Sequence, residues 1–150
     1  MDLNLLFFTG ILAFLVAKLE INIEGKYGWA EKLPTRKIKN KITDLLLGGA
    51  PLTGYHFWLF LTILFLLHLP FFLGLTWNLA GEFKLLGFFF VFLIIEDFLW
   101  FILNPAFGIR KFTKTHIHWH KNWIGFLPKN YYLGIFLSLG SFIISNFINN

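Results

Sequence analysis

The stretch LLGFFFVFLIIEDFLWFILNPAFGI, Leu85 to Ile109, decides the fold. It holds no Lys or Arg, it is crowded with Phe, Leu and Ile, and two adjacent acids, Glu96 and Asp97, stand in its middle. About 20 consecutive apolar residues cross the hydrocarbon core of a bilayer, so the stretch predicts a membrane helix. A carboxylate is costly in water-free surroundings. In a membrane helix such a residue is rare and marks a functional site by default. Asn104-Pro105 ends the helix, because the residue before a proline leaves helical geometry.

The composition agrees. The chain is 57% hydrophobic and 21% aromatic, against about 45–50% apolar for an ordinary soluble domain. Its 150 residues suffice for one domain. Cysteine is absent, which excludes disulfides, thiolate metal ligands and a cysteine nucleophile. A net charge of +5 would suit a nucleic-acid binder. The bases flank apolar runs, however, and there they set orientation in a membrane. No nucleic-acid partner is therefore expected. Near the N-terminus stands Asp2 with no early Lys or Arg and no clear cleavage site, so the first apolar run is expected to be retained.

Four runs predict spans, at about residues 3–22, 51–77, 82–104 and 131–148. The first reaches across if Lys18 snorkels and the helix continues toward Ile23. Pro51 suits a first helical position and Pro70 predicts a kink. None of the runs alternates with period two, and membrane spans satisfy their backbone internally. The expectation is an all-α fold: a single four-helix transmembrane bundle with cytoplasmic interfacial segments at about 24–49 and 106–130.

The connections carry the orientation signal. Lys18, Lys26, Lys32, Arg36, Lys37, Lys39 and Lys41 lie between spans one and two, and Arg110, Lys111, Lys114, Lys121 and Lys129 between three and four. The short turn around Asn78 to Gly81 has only Lys84 near it. The positive-inside rule puts both basic connections in the cytoplasm, and both termini outside the cell membrane. In the first connection Ile38, Ile42, Leu45 and Leu46 recur at helical spacing opposite Arg36, Lys37, Lys39 and Lys41. That predicts an amphipathic helix lying on anionic headgroups. The second connection is aromatic and basic, with Trp119 and Trp123, and is expected to lie along the surface.

The depths of the polar groups converge. Asp97 is roughly 10 Å from the cytoplasmic end of its helix at 1.5 Å per residue. His56 begins span two, Glu20 and Glu24 end span one, and His116, His118 and His120 lie in the second connection. All fall near one leaflet, whereas His68 sits in the outer half of span two and is expected to hydrogen-bond there. Glu20 and Glu24 at i and i+4 share a helix face and repel unless a cation or a proton intervenes. Glu96 and Asp97 are about 100° apart on a helix, so one is expected to face the bundle and the other to pack elsewhere. Either an extended or a helical His116–His120 brings at least two imidazoles to one point.

Carboxylate with neutral imidazole is the ligand set of non-haem iron, manganese or zinc. Helix bundles build such sites from inward Glu and His. Glu24, Glu96, His116 and His120 are the expected ligands of a divalent metal. Glu20, Asp97, His56 and His118 are expected as catalytic acid–base groups or further ligands. In ligand logic the set is similar to membrane fatty-acid desaturases and hydroxylases, whose boxes have HxxxH and HxxHH forms; the chain departs from them, with only His116-x-His118-x-His120 and two scattered histidines. His56 and His68 are about 120° and roughly 18 Å apart on one helix and do not form a haem pair. No nucleotide loop, hydrolase elbow or HExxH motif is present. The leading expectation is a metal-dependent enzyme acting on a lipid or other apolar substrate. The alternatives are a small oligomeric ion- or proton-coupled transporter using Glu96 and Asp97, and an accessory subunit of a larger membrane complex.

Overall fold

The computed structural model describes residues 3–150; Met1 and Asp2, and with them the reading of Asp2, lie outside the described residues, as does the side chain of Leu45. The chain is mostly helical, and its helices α1 (Leu3–Glu24), α3 (Gly54–Phe72), α4 (Leu79–Leu103) and α5 (Lys129–Asn149) are each long and apolar enough to cross a membrane. Between them lie β1 (Lys37–Ile38), the short helix α2 (Lys41–Leu46), β2 (Leu52–Thr53), a 3-10 turn (Ile109–Lys111) and β3 (Trp123–Ile124) with β4 (Leu127–Pro128).

Helix α4 is the axis of the bundle. Helices α1 and α5 pack along it, and α3 leans on it more lightly. The packing reasons are local. Gly87 lies under the Phe142 ring and Gly134 under Ile94, so α4 and α5 approach closely. Small residues are what allow helix backbones to meet in this way. Ser145 Oγ donates to Ala80 O at 2.7 Å and adds a polar tie to the same contact. Ala13, Val16, Ile63, Leu67 and Phe92 form an apolar core between α1, α3 and α4. A second core of Ala17, Trp100, Phe101, Ile117 and Trp119 binds the second connection to the ends of α1 and α4. The outward faces are apolar too: Phe7, Phe65, Phe136 and Phe147 are all exposed, Phe147 by 83%.

Helix boundaries differ from the sequence expectation in three places. Helix α3 begins at Gly54, because Leu52–Thr53 is taken up in strand pairing and Thr53 caps the helix through His56 N. It ends at Phe72, where the chain turns at Gly74 (φ 106°) and Leu75 N donates to Pro70 O. Pro70 therefore sits in the last turn of the helix. The long amphipathic helix expected over the first connection is reduced to the six residues of α2. Its front half is lost because Lys37 and Ile38 pair with Thr53 and Leu52 instead. Asn40 then starts α2 in a capping box with Thr43.

Both β pairs, α2 and all the bases of the two connections lie at the end of the bundle where α1 finishes. These bases are exposed there, and Lys84 stands at the opposite end. At the β3–β4 turn Gly125 takes φ 60° and the tip displays Ile124 and Phe126 to the outside.

Gly87→Val is expected to lower stability by about 1–3 kcal/mol through overpacking, since a Cβ there would stand 2.6 Å from the Phe142 ring. Gly140→Val, where a Cβ meets nothing within 4 Å, is expected to change stability by no more than about 0.5 kcal/mol. Thermal unfolding in detergent, followed by circular dichroism, distinguishes the two; equal losses would remove close α4–α5 packing as the cause.

Candidate metal centre

The last turn of α1 carries Glu20 and Glu24 on one face, and both are buried. Opposite them, the first turn of α3 brings in His56, also buried. His56 Nε2 lies 3.6 Å from Glu20 Oε1 and 3.6 Å from Glu24 Oε1. One ligand atom from each of the three residues falls within 4.8 Å of the others. Tetrahedral ligands at 2.0–2.1 Å from a cation stand roughly 3.3 Å apart. The two His56–carboxylate distances are within a few tenths of an ångström of that spacing, and the whole cluster lies within 4.8 Å.

Neighbouring groups fix each side chain. The Thr53 hydroxyl lies 2.7 Å from His56 Nδ1, and Thr53 Oγ1 also accepts from His56 N. With Nδ1–H given to Thr53, Nε2 turns a lone pair toward the acids; such an outer partner is what orients a ligating imidazole. The indole of Trp29 stacks on the imidazole at 4.2 Å, and its Nε1 donates to Pro51 O at 2.8 Å. Ala30 N donates to Glu24 Oε1 at 2.5 Å. Trp29 and Ala30 both have left-handed backbone, φ 47° and 50°, a conformation that costs non-glycine residues of order 1–3 kcal/mol. The turn is held there by Trp29 on His56 and by Glu24 on Ala30. Gly28 before it (φ 62°) lies against Trp119 and Trp100, leaving no room for a Cβ.

Helix α4 completes the site. Glu96 lines the same cavity as Glu20. Glu20 Oε1 and Glu96 Oε1 are buried there with no hydrogen-bond partner among the described residues. Asp97 turns toward α5, where Tyr131 donates to its Oδ2 at 2.6 Å and His120 Nε2 lies 3.2 Å from the same oxygen. Asn104 ends α4 by donating to Gly25 O at 2.8 Å and accepting from Ala106 N, which pins the ends of α1 and α4 together.

Both groups of polar residues line one cavity of about 280 Å³. Its other walls are apolar: Phe60, Phe89, Leu93, Leu133 and Leu137 among them. Leu46 and Leu47, from the end of α2, also line it. Among the described residues, neither Lys nor Arg lines it.

Six of the expected site residues are thus brought to a common cavity: Glu20, Glu24, His56, Glu96, Asp97 and His120. Glu96 and Asp97 both face it, one toward α1 and one toward α5, so neither packs elsewhere. His116 and His118 do not join. His116 is exposed and bonded to the hydroxyls of Thr113 and Thr115, and His118 is exposed at 3.8 Å from Glu31. Alternation explains this: Ile117 and Trp119 are the buried anchors of the segment, so their neighbours point out until a bend at Trp119 turns His120 inward. Only one imidazole of the three reaches the cavity. His68 stands apart, 3.0 Å from Glu82 Oε1 and 2.6 Å from Leu64 O. Thr53 and Tyr131 are neighbours of the site that the sequence reading missed, whereas Gly28-Trp29-Ala30 stands out in the sequence as motif-like without a role attached. Tyr131 lies in the first turn of α5, where a tyrosine carries the ordinary signature of an interface residue.

Comparison with protein-family models, with curated proteins and with solved structures finds no match for this chain. What the site can do rests on its own chemistry.

Thr53→Val removes both the cap of α3 and the partner of His56 Nδ1. It is expected to cost about 1–2 kcal/mol, and Thr53→Ser to restore most of that. Thermal unfolding of the two variants checks this; an unaffected Thr53→Val protein would mean that the hydroxyl does not orient the ring.

Proposed function

We propose that the chain is an integral membrane protein with its basic end in the cytoplasm, and that Glu20, Glu24 and His56 hold a divalent cation (iron, manganese or zinc) for chemistry on a lipid or other apolar substrate. The observation that carries this reading is the buried Glu20–Glu24–His56 cluster, its ligand atoms within 4.8 Å of one another, opening into a cavity with apolar walls.

The membrane placement is supported by the outward apolar faces of the long helices and by the exposed bases gathered at one end. Ile42 and Leu46 of α2 are exposed beside Lys39 and Lys41, and Ile124 and Phe126 are exposed between Lys121 and Lys129. Apolar residues flanked by bases suit the boundary of an anionic bilayer.

A bound cation would polarise a substrate oxygen or a water at an open coordination position. The residues of the chain do the rest. Phe60, Phe89, Leu93 and Leu137 bind an alkyl chain and exclude water from the cluster. Helices α3 and α5 are not packed against one another along their length, and that side is the route by which a lipid chain enters from the bilayer. Asp97 orients the Tyr131 hydroxyl and faces His120, so these three are the groups to hold and move a proton beside the centre. An enzyme is favoured over a carrier by the core of Ala13, Val16, Ile63, Leu67 and Phe92, which is apolar and buried and places no charged group between the cluster and the far end of the bundle.

The wild-type protein, purified in mild detergent, is expected to carry a divalent metal near stoichiometry. Glu24→Gln and His56→Ala are each expected to weaken its binding by about tenfold or more, while His116→Ala and His118→Ala retain it. In vesicles of total lipid extract, the metal-loaded protein is expected to alter a lipid species, read by mass spectrometry, and a chelator to stop it. Wild-type protein that takes up no metal on incubation with Fe²⁺, Mn²⁺ or Zn²⁺ would overturn the reading.

A further inference from the structure

One cation leaves part of the site unexplained. Four carboxyl groups, Glu20, Glu24, Glu96 and Asp97, line a cavity that no Lys or Arg enters. Asp97 is served by the Tyr131 hydroxyl and faces His120. Glu24 is served by Ala30 N and faces His56. Glu96 has neither. It comes from α4 on the far side of Glu20, it is 5% exposed, and its Oε1 has no donor. Glu20 lines the same cavity, and its Oε1 is likewise buried without a partner among the described residues; the Tyr55 hydroxyl, also buried and unpartnered, stands by Glu20 and not by Glu96. Acids buried together in one cavity need a positive charge or a proton between them. A divalent ion on Glu20, Glu24 and His56 balances two negative charges, and the Glu96 side of Glu20 remains uncompensated.

Resting on the metal reading above, we infer that the centre takes two divalent cations, one on Glu24, His56 and Glu20 and a second on Glu96 and Glu20, with the Glu20 carboxylate bridging them. Glu20 is placed for this, since α1 presents it between His56 on α3 and Glu96 on α4. The second ion then has few protein ligands. Its remaining positions face the cavity, where water or substrate completes the shell, as catalytic sites require. Asp97 and His120 stand across the same cavity and hold protons near it without being needed as ligands.

Loading with Mn²⁺ tests the inference on the full chain. Elemental analysis is expected to give two manganese ions per wild-type chain, with the electron paramagnetic resonance spectrum of a spin-coupled pair. Glu96→Gln is expected to retain one ion and to show the six-line spectrum of isolated Mn²⁺, and His118→Ala to keep the coupled pair. A wild-type protein that saturates at one ion with an isolated spectrum overturns the second cation and leaves the single-metal reading standing; a proton shared by Glu20 and Glu96 then accounts for their burial together. Two ions retained in Glu96→Gln overturns the assignment of Glu96. No manganese bound, where Fe²⁺ and Zn²⁺ also fail, overturns both this inference and the proposed function. The wild-type measurement decides the matter even where the Glu96 variant does not fold.

Discussion

Carboxyl groups buried in one cavity, with imidazoles but no Lys or Arg among the described residues that line it, are the constraint around which the rest of the molecule is arranged. Two unit charges about 4 Å apart repel by about 4 kcal/mol at an effective dielectric of 20. A domain has only about 5–15 kcal/mol of net stability. Glu20, Glu24 and Glu96 cannot all stand ionised and uncompensated in one cavity on those figures. Yet three long helices deliver them there: α1 with both acids of its last turns, α4 with Glu96, and α3 with the imidazole of His56. The bundle is built so that these ends meet, and a cation is the simplest compensation for what they bring.

The loops serve the same end. A left-handed pair at Trp29–Ala30 is unfavourable by itself, and it is kept because it performs several tasks at once. It turns an N–H to Glu24, lays an indole on His56, and through Trp29 Nε1 ties the first connection to the entry of α3. On the other side Trp119 and Ile117 anchor the second connection between α1 and α4, and that anchoring is what swings His120 to Asp97. Asn104 closes the arrangement by fixing the end of α4 to Gly25 at the end of α1. The aromatic residues of the basic end therefore hold the polar groups at fixed distances, in addition to whatever they do at a membrane surface.

Much of this was legible in the sequence because long apolar periods and helix ends leave strong signals. The stretch around Phe88–Phe101 reads as a membrane helix on composition alone, and the i, i+4 spacing of Glu20 and Glu24 puts them on one face without any structure. What was not legible is decided by competition between weak local preferences and distant partners. Ile38, Ile42 and Leu46 keep helical spacing, yet Lys37–Ile38 is drawn into pairing with Leu52–Thr53, which lie beyond α2. The three histidines fit either a strand or a helix over so short a segment. Only the burial of Ile117 and Trp119 settles which of them points inward. Glu96 and Asp97 were expected to diverge because neighbours on a helix lie about 100° apart. They do diverge, but α1 and α5 flank α4 on both sides of one cavity, so both remain in it.

The position of the cluster along the bundle gives the last constraint. It lies where α1 ends and α3 begins, next to the exposed bases, while the apolar walls of the cavity run from it toward the middle of α4 at Phe89. Phe89 precedes Glu96 by about two helical turns, roughly 10 Å along the axis. A molecule lying along those walls meets the charged groups with one end only, and that end is the one nearest the bases. An amphiphile satisfies both halves of such a cavity, its chain against Leu93 and Leu137 and its polar end at the acids. A wholly apolar molecule would leave the acids facing nothing, and a wholly polar one would leave the phenylalanines wet. On the proposed reading the chemistry would fall close to the polar end of such a molecule rather than deep along its chain, since Phe88, Phe92 and Leu67 are buried in the interior.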